Sequence, residues 1–437
     1  MADIFLNSVD GSDANSGADW SNEKLTLATG IAGIDAAGDR VLINSGHTEG
    51  GTTMTYTCPG TAASPCQLLS VTPTGASGIS ALTAGAVVNM SGTTFNVNGS
   101  FYAYGITWRS TSASSTTMTF AGSDGSVQKH ESCAFEITGA GTSSGIYFGY
   151  GAAGAGTSVE VINSTFKVAH TAQRVLYVGE VKIKGGSWAS GGTSPTACFE
   201  AGFSNRGANL IVEGFDFTNA GTSVNVHGTG QGGAISLFRD CLLAASWTGA
   251  PISDANAKAG HRVELWHYKI GATWHRFWVK DARCQLTPET TIVRSGGGAD
   301  SEGSYAVKMV TTANCAYPTA VARSMEFGKN NTTTGSSITV SMEIIRDSAT
   351  ALDDDEVWLE VEEPDGTITT DAAASVIATP AAQTSSSETW TTTGMTNPNK
   401  QTLSVTINAS VAGRLLCRVM CAKPSTTLYI CPKVTVA

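Results

Sequence analysis

Apolar residues in the middle of the chain come in pairs two positions apart, and the pairs recur. Four apolar positions follow the pattern Φ-x-Φ-x-x-x-x-Φ-x-Φ, shown most clearly by Val159, Val161, Phe166 and Val168. The pattern repeats with Val181, Ile183 and Trp188, with Leu210, Val212 and Phe217, with Ile235, Leu237 and Leu242, and with Val263, Leu265 and Ile270. Weaker copies contain Ala103 and Trp108, and Phe135 and Ile137. Alternation with period two predicts strands, because successive side chains of a strand point to opposite faces. The repeats start at 159, 181, 210, 235 and 263, separated by 22, 29, 25 and 28 residues. A repeat of that length, with insertions of varying size, predicts a solenoid whose coils bury a continuous core by stacking. The leucine and asparagine pattern of leucine-rich repeats is missing, so each repeat reads as one coil of two short strands and a turn.

The first forty residues have a different order. An extended start, Ile4-Phe5-Leu6, leads into the turn-rich run Asp10 to Gly17 and then Trp20. Leu25, Leu27, Ile31 and Ile34 follow at near-helical spacing. This predicts a short amphipathic helix with Ser21 or Asn22 as N-cap, ended by Ala36-Ala37-Gly38-Asp39 before the strand Val41-Leu42-Ile43. The layout resembles the N-terminal cap of parallel β-helix proteins of the pectate-lyase-like superfamily over residues 3 to 43. The resemblance implies a right-handed parallel β-helix and carries no implication about catalysis.

Residues 259 to 284 crowd His261, Trp266, His267, Tyr268, Trp274, His275, Phe277 and Trp278 into about one coil. Beyond Pro288 and Ser295-Gly296-Gly297-Gly298 the alternation falls into separate strands near 306–310, 337–342, 357–361, 403–407, 414–419 and 428–431. Short alternating strands joined by polar turns suggest an antiparallel β-sandwich or jelly-roll. The expected architecture is therefore all-β. A cap with a helix spans 1–43, a right-handed parallel β-helix 44–285, and an antiparallel β-sandwich 286–437.

Composition supports strands over helices. The 437-residue chain has 49 glycines and only 14% charged residues, against about 25% in typical domains. A formal net charge of −10 argues against a nucleic-acid groove, which needs a basic stripe, and against anchoring to anionic lipid. No run of apolar residues is long enough to span a bilayer. The start, MADIFLNSVDGSD, has neither a basic n-region nor an apolar h-region, so folding in a cytoplasm is expected. Ten cysteines are scattered without a CxxC pair. They read as buried thiols, with disulfides formed after lysis as the alternative.

Candidate chemistry is sparse. Outward positions mix both charge signs with apolar groups, and Glu160 and Lys182 on neighbouring coils are placed to pair. The carboxylates Glu213, Asp216 and Asp240 are the candidates for catalysis around one groove, weighed against a plain ladder of solvated ion pairs. Asp10, Asp13 and Asn15 alternate like a calcium loop, but the closing glutamate is missing, and a turn held by Asx hydrogen bonds is the expectation. Asp353-Asp354-Asp355-Glu356 reads as a solvated turn. No HxxxH or HExxH spacing, P-loop or nucleophile elbow is present, and no cofactor is implied. The aromatic group Trp266, His267, Tyr268, Trp274, His275, Phe277 and Trp278 reads in three ways: a plug on the solenoid, a subunit interface, or a sugar-stacking surface.

Composition and domain order resemble those of β-helix proteins of bacteriophage particles, commonly trimers. The resemblance implies a non-enzymatic virion protein, foremost a homotrimeric head decoration or cement protein docked on the major capsid protein. The alternatives are a tailspike that binds or depolymerises a host-surface glycan, and a secreted carbohydrate-binding protein. A cap starting at residue 3 leaves no adapter domain ahead of the β-helix, which favours decoration over tailspike in this reading.

Overall fold

The structure, a computed structural model, describes residues 2–114, 117–142, 145–149, 156–201, 208–222, 225–228, 235–247, 262–292, 294–295, 305–316, 320–332, 334–353, 355–370, 389–392, 394–408 and 412–437. His261, Asp354 and the glycine run 296–298 lie outside them. Among the described residues, the regular structure apart from the helix Leu27–Ala32 is β. The chain forms two compact units, residues 1–275 and 276–437.

The first unit is a parallel β-helix. One parallel sheet stacks Asp3–Leu6, Arg40–Asn44, Cys66–Thr74, Phe101–Tyr104, Val127–Glu131, Ser158–Ile162, Gly179–Lys184, Ala208–Glu213, Ile235–Arg239 and Arg262–Ile270. The long parallel strand pair Thr48–Thr57 and Ala86–Asn98 opens a second parallel stack with its first half, continued by Ile106–Ser110, Ala134–Ile137, Thr165–Lys167 and Ser187–Trp188. Its second half opens a third, continued by Thr117–Phe120, Gly145–Phe148, Arg174–Tyr177, Ala197–Ala201 and Asn225–His227. The coils that start at Val127, Ser158 and Gly179 each contribute one strand to every stack, so the sequence repeat is one turn of the solenoid.

Inward positions form columns. Cys66, Phe101, Gln128, Val159, Val181, Leu210, Ser236 and Val263 line one register position of the first sheet, and all are buried. Trp108, Phe135, Phe166 and Trp188 form a column of the second. Phe135 and Phe166 stack at 5.2 Å and 14°, and Phe166 and Trp188 at 6.2 Å and 27°. Large rings repeated at one register position fill the core from coil to coil, and each is buried.

The fold corrects three details of the sequence reading. In the coil near 235 the buried residues are Ser236 and Phe238, paired with Leu210 and Val212, while Ile235 is 53% exposed. The expected pair Ile235 and Leu237 is thus off by one residue, a slip that exchanges the two faces of a strand. The helix starts later than expected, with Thr26 rather than Ser21 or Asn22 as N-cap, and ends at Gly33. Lys182 pairs with Glu180 on its own strand at 2.6 Å, and Glu160 takes Lys184 at 2.7 Å and Lys129 at 3.7 Å.

The cap is tied by polar side chains. Asp13 Oδ1 accepts from the backbone N–H of Leu25 and Thr26 and from the Thr29 hydroxyl. Burial pushes the Asp13 carboxyl up, but these hydrogen bonds outweigh it and hold the group below its usual range. Glu49, 7% exposed, accepts from the first helical N–H, Leu27 N, at 2.6 Å and from Tyr56 Oη at 3.1 Å, with His47 Nε2 at 3.3 Å. Trp20 donates through Nε1 to Gly78 O, and its ring meets Phe5 edge-on at 4.8 Å. It thereby covers an outward apolar patch of Phe5, Leu42, Leu69 and Val71.

In the second unit the six expected strands are present in two antiparallel sheets. One runs Cys284–Glu289, Ala306–Thr311, Thr427–Ile430, Ser337–Asp347, Pro398–Asn408. The other pairs Gly413–Cys421 with Val357–Glu362, Phe327–Asn331 and Ala322–Arg323. Cys417, Val419 and Cys421 share its buried face, and Arg418 on the opposite face meets Glu326, Glu360 and Glu362. All ten cysteines are buried thiols outside any disulfide.

Candidate functional site

Between the first and second sheets the chain turns a corner through one residue with left-handed backbone. Gly105, Ser132, Asn163, Gly185, Gly214, Asp240 and His267 hold this place in successive coils, with φ between +47° and +68°. Neighbouring corners are linked by their backbones. Ser132 N donates to Ile162 O, Asn163 N to Lys184 O, Gly185 N to Glu213 O, Gly214 N to Arg239 O and Asp240 N to Trp266 O, at 2.7 to 3.1 Å. Glycine, asparagine and aspartate tolerate this conformation best. The residue after each corner faces inward, and Cys133 and Cys241 are two of these fillers. Burial pushes both thiols up to about 12, which keeps them protonated and unreactive.

The last two corners carry the exposed cluster. The side chains of Asp240 and His267 are 58% and 65% exposed, and His267 Nδ1 lies 2.5 Å from Asp240 Oδ1. The imidazole thus meets the carboxyl group through Nδ1. The His267 ring stacks on Trp274 at 4.3 Å and 6°. Lys269 Nζ lies 5.8 Å from the Trp274 centroid, and the tryptophan is 48% exposed. Beside it Tyr268 stacks on His275 at 5.1 Å, with the tyrosine 6% exposed and its hydroxyl pushed up to about 12 by burial. Trp266 Nε1 donates to Glu264, which also holds Arg262. The structure thus gathers Trp266, His267, Tyr268, Trp274 and His275 in the first unit. Phe277 and Trp278 belong to the second and are buried there, at 1% and 6% exposure.

The three candidate carboxylates are each engaged. Glu213 lies 4.0 Å from Arg239, Asp240 holds His267, and Asp216 accepts from Thr218 N in an Asx turn. Asp216 bridges Ser187 and Leu242 on the second stack, around the Gly214 corner from Glu213. A carboxyl that the sequence reading passed over is Glu200, on the outward face of the third stack. Burial raises it, while Arg174, 2.6 Å away, opposes the rise. Nothing in the local sequence marks it, because its burial comes from the coils around it. Asn15 donates through Nδ2 to Glu23 O, Asp13 ties the helix, and Asp10 is exposed. Among the described residues no group of three metal-ligating side chains converges, and no helix is long and apolar enough to cross a membrane.

No protein-family model matches the chain, and no curated protein matches it. Among solved structures it is similar to the enzymatically active domain of tailspike protein 4 of bacteriophage CBA120, at 8% identity and a TM-score of 0.24. The match covers 94% of this chain, which spans 65% of the length of that one.

Proposed function

We propose that this chain is a bacteriophage particle protein of receptor-binding, tailspike-like type, a homotrimer whose β-helix presents a saccharide-binding surface and whose second unit packs as a β-sandwich. The observation that carries this reading is the exposed Trp274 ring, stacked on His267, which Asp240 holds, with Lys269 5.8 Å from its centroid. An aromatic face flanked by hydrogen-bonding groups of both signs suits a sugar, whose C–H face is apolar and whose rim is hydroxyls. The site binds rather than cleaves in this reading, because Glu213, Asp216 and Asp240 are each taken up by a local partner.

Binding of polysaccharides from bacterial surfaces is the test. Trp274→Ala is expected to weaken the interaction by tenfold or more, as removal of an exposed aromatic anchor does. Release of oligosaccharide that disappears in Glu213→Gln or Asp216→Asn would restore the depolymerase reading. Quantitative mass spectrometry of particles separates the remaining alternative. A few trimers per particle fit a receptor-binding protein, and dozens to hundreds of copies would instead make the chain a decoration protein docked on the major capsid protein.

A further inference from the structure

We propose that the second unit contains a separate binding basin for a carboxylate-bearing sugar, a uronate or a similar acidic saccharide residue. The basin has a volume of about 380 Å³ and is lined by Lys308, Arg346, Asp347, Ser425, Thr427 and Tyr429, a size suited to a small ligand. Strand pairing assembles it. Lys308 and Tyr429 are register partners on Ala306–Thr311 and Thr427–Ile430, and Ile345 pairs with Tyr429 from the other side. This brings Arg346 and Asp347, at the end of Ser337–Asp347, to the same rim. Ser425 sits in the left-handed region with φ +49°, in the turn entering the Tyr429 strand. A non-glycine residue there is uncommon and marks a place where surrounding structure dictates the backbone.

The charges decide the ligand class. Arg40, Arg109, Arg174 and Arg418 are each held by a carboxylate, in a chain of net charge −10. Lys308 and Arg346 are in no ion pair among the described residues. Lys308 Nζ instead lies 5.9 Å from the Tyr429 ring centroid, and Arg346 acts on Glu356 only through longer-range attraction. Asp347 is the one carboxylate of the lining, and its Oδ1 accepts from the N–H of Thr396 and Asn397 at 3.0 and 2.6 Å. Within the lining two cations stand against one committed carboxylate, with Glu289 acting on Tyr429 from farther off, and this balance favours an anion. Asp347 and the tyrosine ring argue against a compact dianion such as phosphate, which gains nothing from an aromatic wall and is repelled by a carboxylate. A singly charged sugar uses every group. Its carboxylate meets Lys308 and Arg346, its ring lies along Tyr429, and its hydroxyls reach Asp347 Oδ2, Ser425 and Thr427.

The site is independent of the Trp274 surface, and its test keeps the two apart. Titration calorimetry of the full chain would use galacturonate and glucuronate oligomers, their methyl esters, the matching neutral oligomers, and inorganic phosphate. Saturable binding of the uronates is expected, at least tenfold weaker for the esters and neutral sugars. Lys308→Met and Arg346→Met should each lose about the same factor. The ester comparison uses the unaltered protein, so it stands if a variant fails to fold. Absence of uronate binding, phosphate binding as tight as uronate binding, or esters equal to acids would each overturn the proposal. Uronate binding lost only in Trp274→Ala would also overturn it and leave the surface on the first unit as the sole saccharide site.

Discussion

Buried polar residues inside the solenoid set its most specific energetics. His130 is fully buried within a cage of Phe101, Phe120 and Phe135, its centroid 5.2 to 5.3 Å from theirs, and its Nε2 lies 3.3 Å from Gln128 Oε1. Gln128 in turn donates to Val97 O and Gly99 O. Burial pushes the His130 imidazole down to about 3. An unfolded histidine titrates near 6.5, so between these values the unfolded chain takes up a proton that the folded chain refuses. Stability contributed by this residue is therefore constant above pH 6.5 and falls as pH drops, by about 1.4 kcal/mol per unit within the window. Denaturant melts of His130→Phe against the parent should show a stability difference that changes with that slope between about pH 3.5 and 6, and no slope from pH 7 to 8. A pH-independent difference would mean that the histidine is not neutral in the core. Ser236 gives a second test. It occupies a column that holds Val159, Val181 and Val263 elsewhere, yet its hydroxyl lies 2.5 Å from Tyr177 Oη and 3.2 Å from His227 Nε2. Ser236→Val matches the local pattern but removes a buried hydrogen-bonding partner. It should cost about 1–3 kcal/mol, not stabilise.

At the scale of the element, the corner ladder is the device that keeps coils in step. A left-handed residue turns the chain from the first sheet into the second, and its N–H reaches the carbonyl of the next coil. Asn163, with φ +47°, tests whether the conformation is required. Asn163→Gly should be within about 0.5 kcal/mol of the parent, while Asn163→Val should cost about 2 kcal/mol or more, because a β-branched side chain is strongly disfavoured there. Equal stability of the two variants would show that the corner can relax to right-handed backbone. The same ladder places Asp240 and His267 at the surface cluster, so the candidate site is built from the fold's own turn and not from a long inserted loop.

For the molecule as a whole, stacked coils leave each strand of the first unit paired with its neighbours, which limits open sheet edges and resists unfolding in open water. A trimer is the proposed working form. Light scattering at micromolar concentration should return about three times the 45.0 kDa chain mass, and a strictly monomeric species would count against the particle reading.

Much of this was legible in the order of residues, and the physical reason is range. Strand alternation and coil repeat depend on neighbours a few positions apart, so Val159, Val161, Phe166 and Trp188 announced a parallel solenoid, and the six strands of the second unit were readable the same way. The extended start and the short helix before Val41 were equally local. What tertiary structure alone decided depends on partners far along the chain. Ser236 lies inside and Ile235 outside in register with Leu210 and Asn209, and Tyr177, 59 residues away, supplies a partner for the buried hydroxyl. The helix takes Thr26 rather than Ser21 as its N-cap, where Asp13 and Glu49 collect the N–H groups of Thr26 and Leu27. Glu160 takes Lys184 rather than Lys182 because the reach of the side chains runs diagonally across coils. The corner ladder was visible only as unremarkable Ser, Asn, Gly, Asp and His positions until the fold aligned them. Periodicity thus specifies which faces are buried, while register, polar satisfaction and the meeting of Lys308, Arg346 and Tyr429 arise only when distant strands are brought side by side.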